Sequence, residues 1–160
     1  MTAAVLGIIG GSGLYDLPLE NARWVAVDTP RGEPSDELFC GELAGLPVVF
    51  LPRHGRGHVL TPTGINYRAN IHALKSLGVT DIVSLSAVGS LKEDLAPGQF
   101  VLIDQFIDRT FAREKSFFGN GCVAHVAFSH PVSPALVVEV RRAMDKADVS
   151  YSVGGTYVVM

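Results

Sequence analysis

The sequence predicts an α/β fold on a mixed central β-sheet flanked by helices. Three observations point there. Short apolar runs ending in glycine alternate with segments of helical spacing, the pattern of strand–helix–strand units. The first third holds two consecutive strand patterns joined by a glycine corner, which demands antiparallel pairing beside the parallel pairing of those units. Hydrophobic residues make up 48% of the 160 residues and charged residues 18%, a core-forming balance.

Residues 5–9 (Val-Leu-Gly-Ile-Ile) form a short apolar run before Gly10-Gly11-Ser12-Gly13, so a buried strand ends in a tight turn. Residues 24–27 are a second strand candidate, and 30–35 a polar turn. Residues 37–43 and 46–51, with Ala44-Gly45 between them, read as a β-hairpin. A Gly-, His- and Arg-rich loop follows over 52–62. Residues 64–77 show helical spacing, with Ile65, Ala69, Ile71, Leu74 and Leu77 on one stripe and Gly78 as the C′ residue. Strands are expected at 81–87 and, after the Ala96-Pro97-Gly98 turn, at 100–103. Residues 109–129 are irregular. Ser133-Pro134 opens a helix to about residue 147, with Pro at N1. Residues 151–160 read as one strand entering the core. No linker or repeat breaks the chain, so residues 1–160 are expected to lie in a single domain without internal boundary. Because natural domains rarely end on an apolar run such as Thr156-Tyr157-Val158-Val159-Met160, the domain is expected to be incomplete at this end, either as a fragment or with its continuation absent from this sequence.

Composition narrows the function classes. Thirteen basic and 16 acidic residues give a net charge of −3, with no Lys/Arg run, which argues against a nucleic-acid surface. An anionic ligand would need a local positive site. Cys40 and Cys122 stand far apart in no ligand spacing and read as reduced thiols of a cytoplasmic protein. Met1-Thr2-Ala3-Ala4-Val5-Leu6 lacks the basic start of a signal peptide, and no apolar stretch approaches the roughly 20 residues of a membrane span.

Three segments carry chemistry, each just after a predicted strand. Gly10-Gly11-Ser12-Gly13 offers successive N–H groups and a hydroxyl, an anion cradle. Its rivals are an ordinary glycine turn and a dinucleotide site. The latter needs a third glycine where Asp16 stands, and no Gly-Lys-Ser/Thr occurs to make a P-loop. Pro52-Arg53-His54-Gly55-Arg56-Gly57-His58 supplies guanidinium forks and imidazole donors suited to phosphate oxygens. Its bland alternative is a solvated loop, and a metal site on the two histidines lacks any neighbouring Asp, Glu or Cys. Ser84-Leu85-Ser86-Ala87-Val88-Gly89-Ser90 ends a strand, where open α/β sheets gather ligands. Together the segments supply donors and no carboxylate, which describes an inorganic phosphate site.

These motifs, with Asn66-Tyr67-Arg68-Ala69-Asn70-Ile71, Ala87-Val88-Gly89-Ser90-Leu91 and Asp104-Gln105-Phe106-Ile107-Asp108-Arg109-Thr110, resemble in order and spacing those of the 5′-methylthioadenosine phosphorylases, in the trimeric purine nucleoside phosphorylase family. The resemblance covers essentially the whole chain. It implies a purine nucleoside phosphorylase-like fold with a partly barrel-like sheet. It implies a homotrimer that binds a nucleoside and inorganic phosphate as co-substrate, with no further cofactor and no metal. Matched motif to motif, phosphate falls to Ser12, Arg53, His54, Ser86 and Ala87. His125 matches a residue that reaches the 5′-substituent pocket of a neighbouring subunit, with an ordinary loop histidine as its alternative. The implied reaction is phosphorolysis of S-methyl-5′-thioadenosine in purine and methionine salvage, through an oxocarbenium-like sugar. The family's purine-binding Asp and ribose-contacting Met belong to later motifs that nothing up to Met160 matches. The general acid is therefore expected beyond Met160. The stretch 125–131 also has the flavour of methylthioinosine-preferring relatives, so that activity, or a general purine nucleoside phosphorylase, stays open. The rival of a different class is a nucleotide-dependent oxidoreductase domain. A half-domain that folds only with a partner is the non-enzymatic rival.

Overall fold

The computed structural model describes residues 4–160, apart from the side chain of Ser12. Met1-Thr2-Ala3, part of the segment used against a signal peptide, lie outside the described residues. Backbone contacts gather into two compact units, residues 1–87 with 114–117, and residues 88–113 with 118–160.

The first unit is a mixed five-stranded sheet. Its strands are β1 (Leu6–Gly10), β2 (Glu20–Val25), β3 (Leu38–Leu43), β4 (Leu46–Pro52) and β5 (Asp81–Ser84), in the order β2-β3-β4-β1-β5. β1 lies parallel to both β4 and β5, while β2–β3 and β3–β4 are antiparallel. The expected hairpin is β3–β4. A ten-residue helix, α1 (Tyr67–Ser76), makes the crossover from β4 to β5. The mixed α/β architecture follows: a βαβ unit joined to a hairpin meander.

The core lies between α1 and the sheet. Leu38, Val49, Leu51, Ala73, Leu74 and Val79 form one buried cluster, and Phe50 is fully buried nearby. The helical stripe differs from the expected one. Ala69, Asn70, Ala73 and Leu74 face inward, while Ile71 is 38% exposed. Ile71 stands two residues from Ala69, about 200° around the helix, so it cannot share that face. The helix also starts later than its apolar spacing suggested. Asn66 caps it, accepting from the Ala69 amide at 3.1 Å, and its amide nitrogen donates to the Arg31 carbonyl at 2.7 Å. Asn70 is buried but satisfied, since its Oδ1 accepts from the Ser35 amide and its Nδ2 donates to Ser35 Oγ.

β2 begins four residues earlier than its apolar signal. The run Glu20-Asn21-Ala22-Arg23 is polar and exposed, and it is strand because β3 pairs with it across an irregularity between Glu20 and Arg23. Tertiary pairing overrides composition there. β5 stops at Ser84 instead of reaching residue 87.

In the second unit, β6 (Phe100–Leu102) pairs in parallel with β8 (Tyr151–Val153), and β7 (Gln105–Asp108) with β9 (Thr156–Val159). The single strand expected over 151–160 is split by Gly154 (φ 88°) and Gly155 (φ 117°), a left-handed kink that suits glycine. Asp104 answers the kink: its Oδ1 accepts from the Gly155 amide at 3.1 Å. β7 escaped the sequence pattern because its polar Gln105 and Asp108 bracket only two apolar residues. α2 (Pro134–Lys146) begins as expected, with Pro134 at its start and Ser133 Oγ accepting from the Leu136 amide.

Asn66→Ala removes both bonds that start α1 and should lower stability by about 1–2 kcal/mol. Asn66→Asp keeps the cap acceptor and loses the donor to Arg31, so it should fall between wild type and Ala in urea denaturation.

Candidate functional site

The three chemistry-bearing segments sit together because three adjacent parallel strands end together. In the order β4-β1-β5, Gly10 is opposite Pro52 and Ile9 opposite Ser84. The chain continues the ladder one step beyond each flanking strand: the Arg53 amide donates to the Gly10 carbonyl and the Leu85 amide to the Ile9 carbonyl, both at 2.9 Å. One connection from β1 leads to the β4 side, and the crossover from β4 returns on the β5 side. Such a switch point at the carboxyl ends of strands is where open α/β sheets leave a crevice for ligands.

Arg53 joins the segments. Its Nη1 donates to Ser86 Oγ at 2.8 Å and reaches the Leu85 carbonyl at 3.4 Å, and its Nε donates to His54 Nε2 at 3.3 Å. Its Nη2 lies alongside Gly11, 3.6 Å from where a Cβ would stand. Because Ser86 Oγ accepts from Arg53, its own O–H can still donate to an anion.

His54 is buried, with 8% exposure. Its Nδ1 lies 2.8 Å from the Leu60 carbonyl, and the Leu60 amide donates back to the His54 carbonyl at 3.0 Å. The His58 ring stacks on it at 4.4 Å between centroids.

The loop's second arginine faces elsewhere. Arg56 is bound by Asp36 through Nε and Nη2 and by Glu37 through Nη2, and its guanidinium lies 4.0 Å from the Trp24 ring centroid. The sequence showed donors without carboxylates, and this pair, 20 and 19 residues upstream of Arg56, supplies the missing ones. Burial alone would raise the Asp36 carboxyl, but the bonds from the Arg56 side chain and amide and from the Glu37 amide outweigh it, so its pKa lies below the ordinary aspartate value. Tyr15 ties the glycine turn to the same loop, its hydroxyl donating to the Gly55 carbonyl at 3.1 Å. Burial pushes that phenol upward against the opposing pull of Arg53, so it keeps its proton.

The remaining expected residues are placed as follows. Ser12 opens a 3-10 turn, Ser12–Leu14, and its side chain lies outside the described residues. Ser86 and Ala87 follow β5 on an exposed segment. His125 lies in the second unit on an exposed stretch, three residues before Phe128, whose ring packs on Phe106. A single 3-10 turn and then the antiparallel β2 and β3 follow β1, where a dinucleotide fold would start a long helix. Among the described residues no three His, Cys, Asp or Glu side chains gather to hold a metal ion. Sequence reasoning missed Asp36, Leu60 and Tyr15. Only the Tyr15 hydroxyl next to the glycine turn offered a local signal.

Residues 5–160 match the family model of the phosphorylase superfamily, and the chain belongs to that superfamily. It is 60% identical over 161 residues to an S-methyl-5′-thioadenosine phosphorylase of Bradyrhizobium diazoefficiens, covering 100% of this chain and 55% of that protein. Its identity to the protein of the same name from Rhodospirillum rubrum is 60% over 157 residues, 98% of this chain and 53% of that one. Among solved structures, a methylthioadenosine phosphorylase sourced from an antarctic soil metagenomic library superposes with a TM-score of 0.92 at 52% identity, over 99% of this chain and 56% of that one. The methylthioadenosine phosphorylase from Schistosoma mansoni in complex with adenine gives 0.90 at 36% identity, over 98% and 65%. The chain thus spans about half the length of the curated relatives it matches.

A methyl group on Gly10 would stand 2.8 Å from Leu14 Cδ1 and 2.9 Å from Phe50 Cε2, and the buried Phe50 ring cannot yield. Gly10→Ala should therefore lose about 1–3 kcal/mol in urea denaturation. Asp36 titrates lower in the folded chain than in the unfolded one. Its ion pair therefore contributes above the ordinary aspartate pKa of about 3.9 and is lost as pH falls through the lower folded value. Asp36→Asn should be less stable than wild type at neutral pH, and the gap between their denaturation midpoints should narrow as the pH drops below about 4.

Proposed function

We propose that this chain carries the phosphate-binding part of an S-methyl-5′-thioadenosine phosphorylase. The reaction converts S-methyl-5′-thioadenosine and inorganic phosphate to adenine and 5-methylthioribose 1-phosphate, a step of purine and methionine salvage. One observation carries the reading: Arg53, at the ends of three adjacent parallel strands, bonds to Ser86 and lies beside Gly11. Inorganic phosphate is held there by the Ser12 hydroxyl, the Arg53 guanidinium, the Ser86 hydroxyl and the Ala87 amide, with His54 serving the same site.

The chemistry follows from that arrangement. A phosphate oxygen attacks the anomeric carbon as the C–N bond to the purine breaks, and the departing base takes up a proton. The sugar is cationic between the two events. A phosphate held rigidly below it is both nucleophile and counter-charge, so orienting the phosphate supplies much of the rate. No metal or organic cofactor takes part. The departing purine takes its proton from a donor that is not assigned to any of residues 1–160. His125 reaches the 5′-substituent pocket of a neighbouring subunit in a homotrimer of the cytoplasm. Among the described residues no helix is long and apolar enough to cross a membrane.

The test is purine release by the full-length protein with and without phosphate. Adenine should appear only with phosphate, together with 5-methylthioribose 1-phosphate identified by mass. Equal release in phosphate-free buffer would sink the reading, and faster turnover of methylthioinosine would reassign the base. Arg53→Ala removes charge-assisted bonds and should raise the KM for phosphate about 10- to 100-fold. An unchanged phosphate dependence would remove Arg53 from the site.

A further inference from the structure

We propose that Asp36 is a positioning residue for the phosphate site: its carboxylate accepts the Arg56 backbone amide and thereby fixes the loop that presents Arg53 and His54. This role deepens the phosphorylase reading and rests on it.

The loop after β4 moves as one piece. The Gly55 amide donates to the Pro52 carbonyl at 2.9 Å and the His58 amide to the Gly55 carbonyl at 3.0 Å, closing two tight turns in succession. The Leu60 amide then ties the far end back to the His54 carbonyl at 3.0 Å. Whatever holds Gly55 and Arg56 therefore also holds Arg53, two and three residues away. Tyr15 holds the loop at the Gly55 carbonyl, and Asp36 holds it at the Arg56 amide, which donates to Oδ2 at 2.6 Å. The second bond is charge-assisted and short, so it is the stronger grip.

Asp36 can act as a fixed point because its own neighbours are anchored. The Ser35 amide donates to Asn70 Oδ1 at 2.7 Å, and Asn70 Nδ2 donates to Ser35 Oγ at 2.9 Å. Asn70 is buried in α1, so this pair ties the segment to the helix. Two residues after Asp36, the fully buried Leu38 opens β3. Between these anchors the Asp36 side chain is only 13% exposed, and its Oδ1 accepts from the Glu37 amide at 2.8 Å. The loop rests directly on this segment, since a Cβ on Gly55 would stand 3.0 Å from the Ser35 carbonyl oxygen. The Arg56 guanidinium shares the same carboxylate through Nε and Nη2, but its side chain is 45% exposed. The backbone bond is the part of the contact that acts on the loop itself.

The two jobs of the carboxylate separate by substitution. Asp36→Asn keeps a carbonyl oxygen at the same reach for the Arg56 amide and loses the charge. Asp36→Glu keeps the charge for the guanidinium, and its extra methylene carries the carboxylate away from the amide. In the full-length protein Asp36→Glu and Asp36→Ala should each raise the KM for phosphate about three- to tenfold, and Asp36→Asn no more than about twofold. The nucleoside KM should stay within about twofold in all three, a split that general loss of stability would not produce. Losses that follow the charge, with Asn as poor as Ala and Glu as good as wild type, would make Asp36 an ion-pair partner only and overturn the proposal. A nucleoside KM that rises in step with the phosphate KM would overturn it too. Hydrogen exchange of the wild type decides the matter even if a variant fails to fold. The Arg56 amide should be protected, and more so with phosphate bound, because binding and loop position are linked. Protection that phosphate leaves unchanged would overturn the proposal. Base release by wild type in phosphate-free buffer would bring down the phosphorylase reading, whereas a phosphate-dependent wild type with an indifferent Asp36→Ala would bring down this proposal alone.

Discussion

A guanidinium fixed at the end of a parallel sheet is the constraint around which the first unit is organised. Arg53 belongs to the sheet through its amide, which extends the β1–β4 ladder, and to the far side of β1 through its Nη1 bond to Ser86. It can do both only if β4, β1 and β5 finish at the same level. That level is set by register, Gly10 against Pro52 and Ile9 against Ser84. β4 is apolar and buried on both faces from Val48 to Pro52, so alternation of its side chains does not set that level. It is set by the backbone ladder of β1 with β4 and β5, and the cation stands where that ladder ends.

The two arginines of the loop divide the work. A chain of net charge −3 has no global field to draw in an anion, so attraction must be local. Asp36 and Glu37 lie close to the loop that carries the site, and unpaired they would oppose a phosphate there. Arg56 engages both of them and stacks on Trp24. Arg53 remains as the cation turned to the strand ends. The loop's shape is held by bonds between neighbours: Tyr15 to Gly55, Leu60 to His54, and Asp36 to the Arg56 amide.

Much of this was legible in the sequence because its signals were local. Gly10 to Gly13 follows an apolar run, and Arg53-His54 and Ser86-Ala87 each follow another, so strand ends and donors could be read without a partner. What stayed hidden depended on pairing across the chain. The exposed start of β2 is strand only through β3, β7 only through β9, and the division between Arg53 and Arg56 depends on carboxylates 19 and 20 residues away from Arg56. The helix start was hidden differently. Apolar spacing ran through Ile65, yet Asn66 ends the preceding turn by capping the Ala69 amide. The placement of Ile71 failed on simple geometry, since only spacings near three and four share a helical face.

His54 shows why residue type alone under-determines a role. An imidazole beside an arginine after a strand suggests a second donor to the same anion, and composition offers nothing against that. The structure adds what composition could not show: a carbonyl six residues on, at Leu60, lies 2.8 Å from Nδ1, and Arg53 Nε meets Nε2 at 3.3 Å. Burial and the His58 stack then hold the ring in one orientation beside the arginine. Its place at the strand ends is therefore set by contacts far along the loop, which the dipeptide Arg53-His54 alone does not carry.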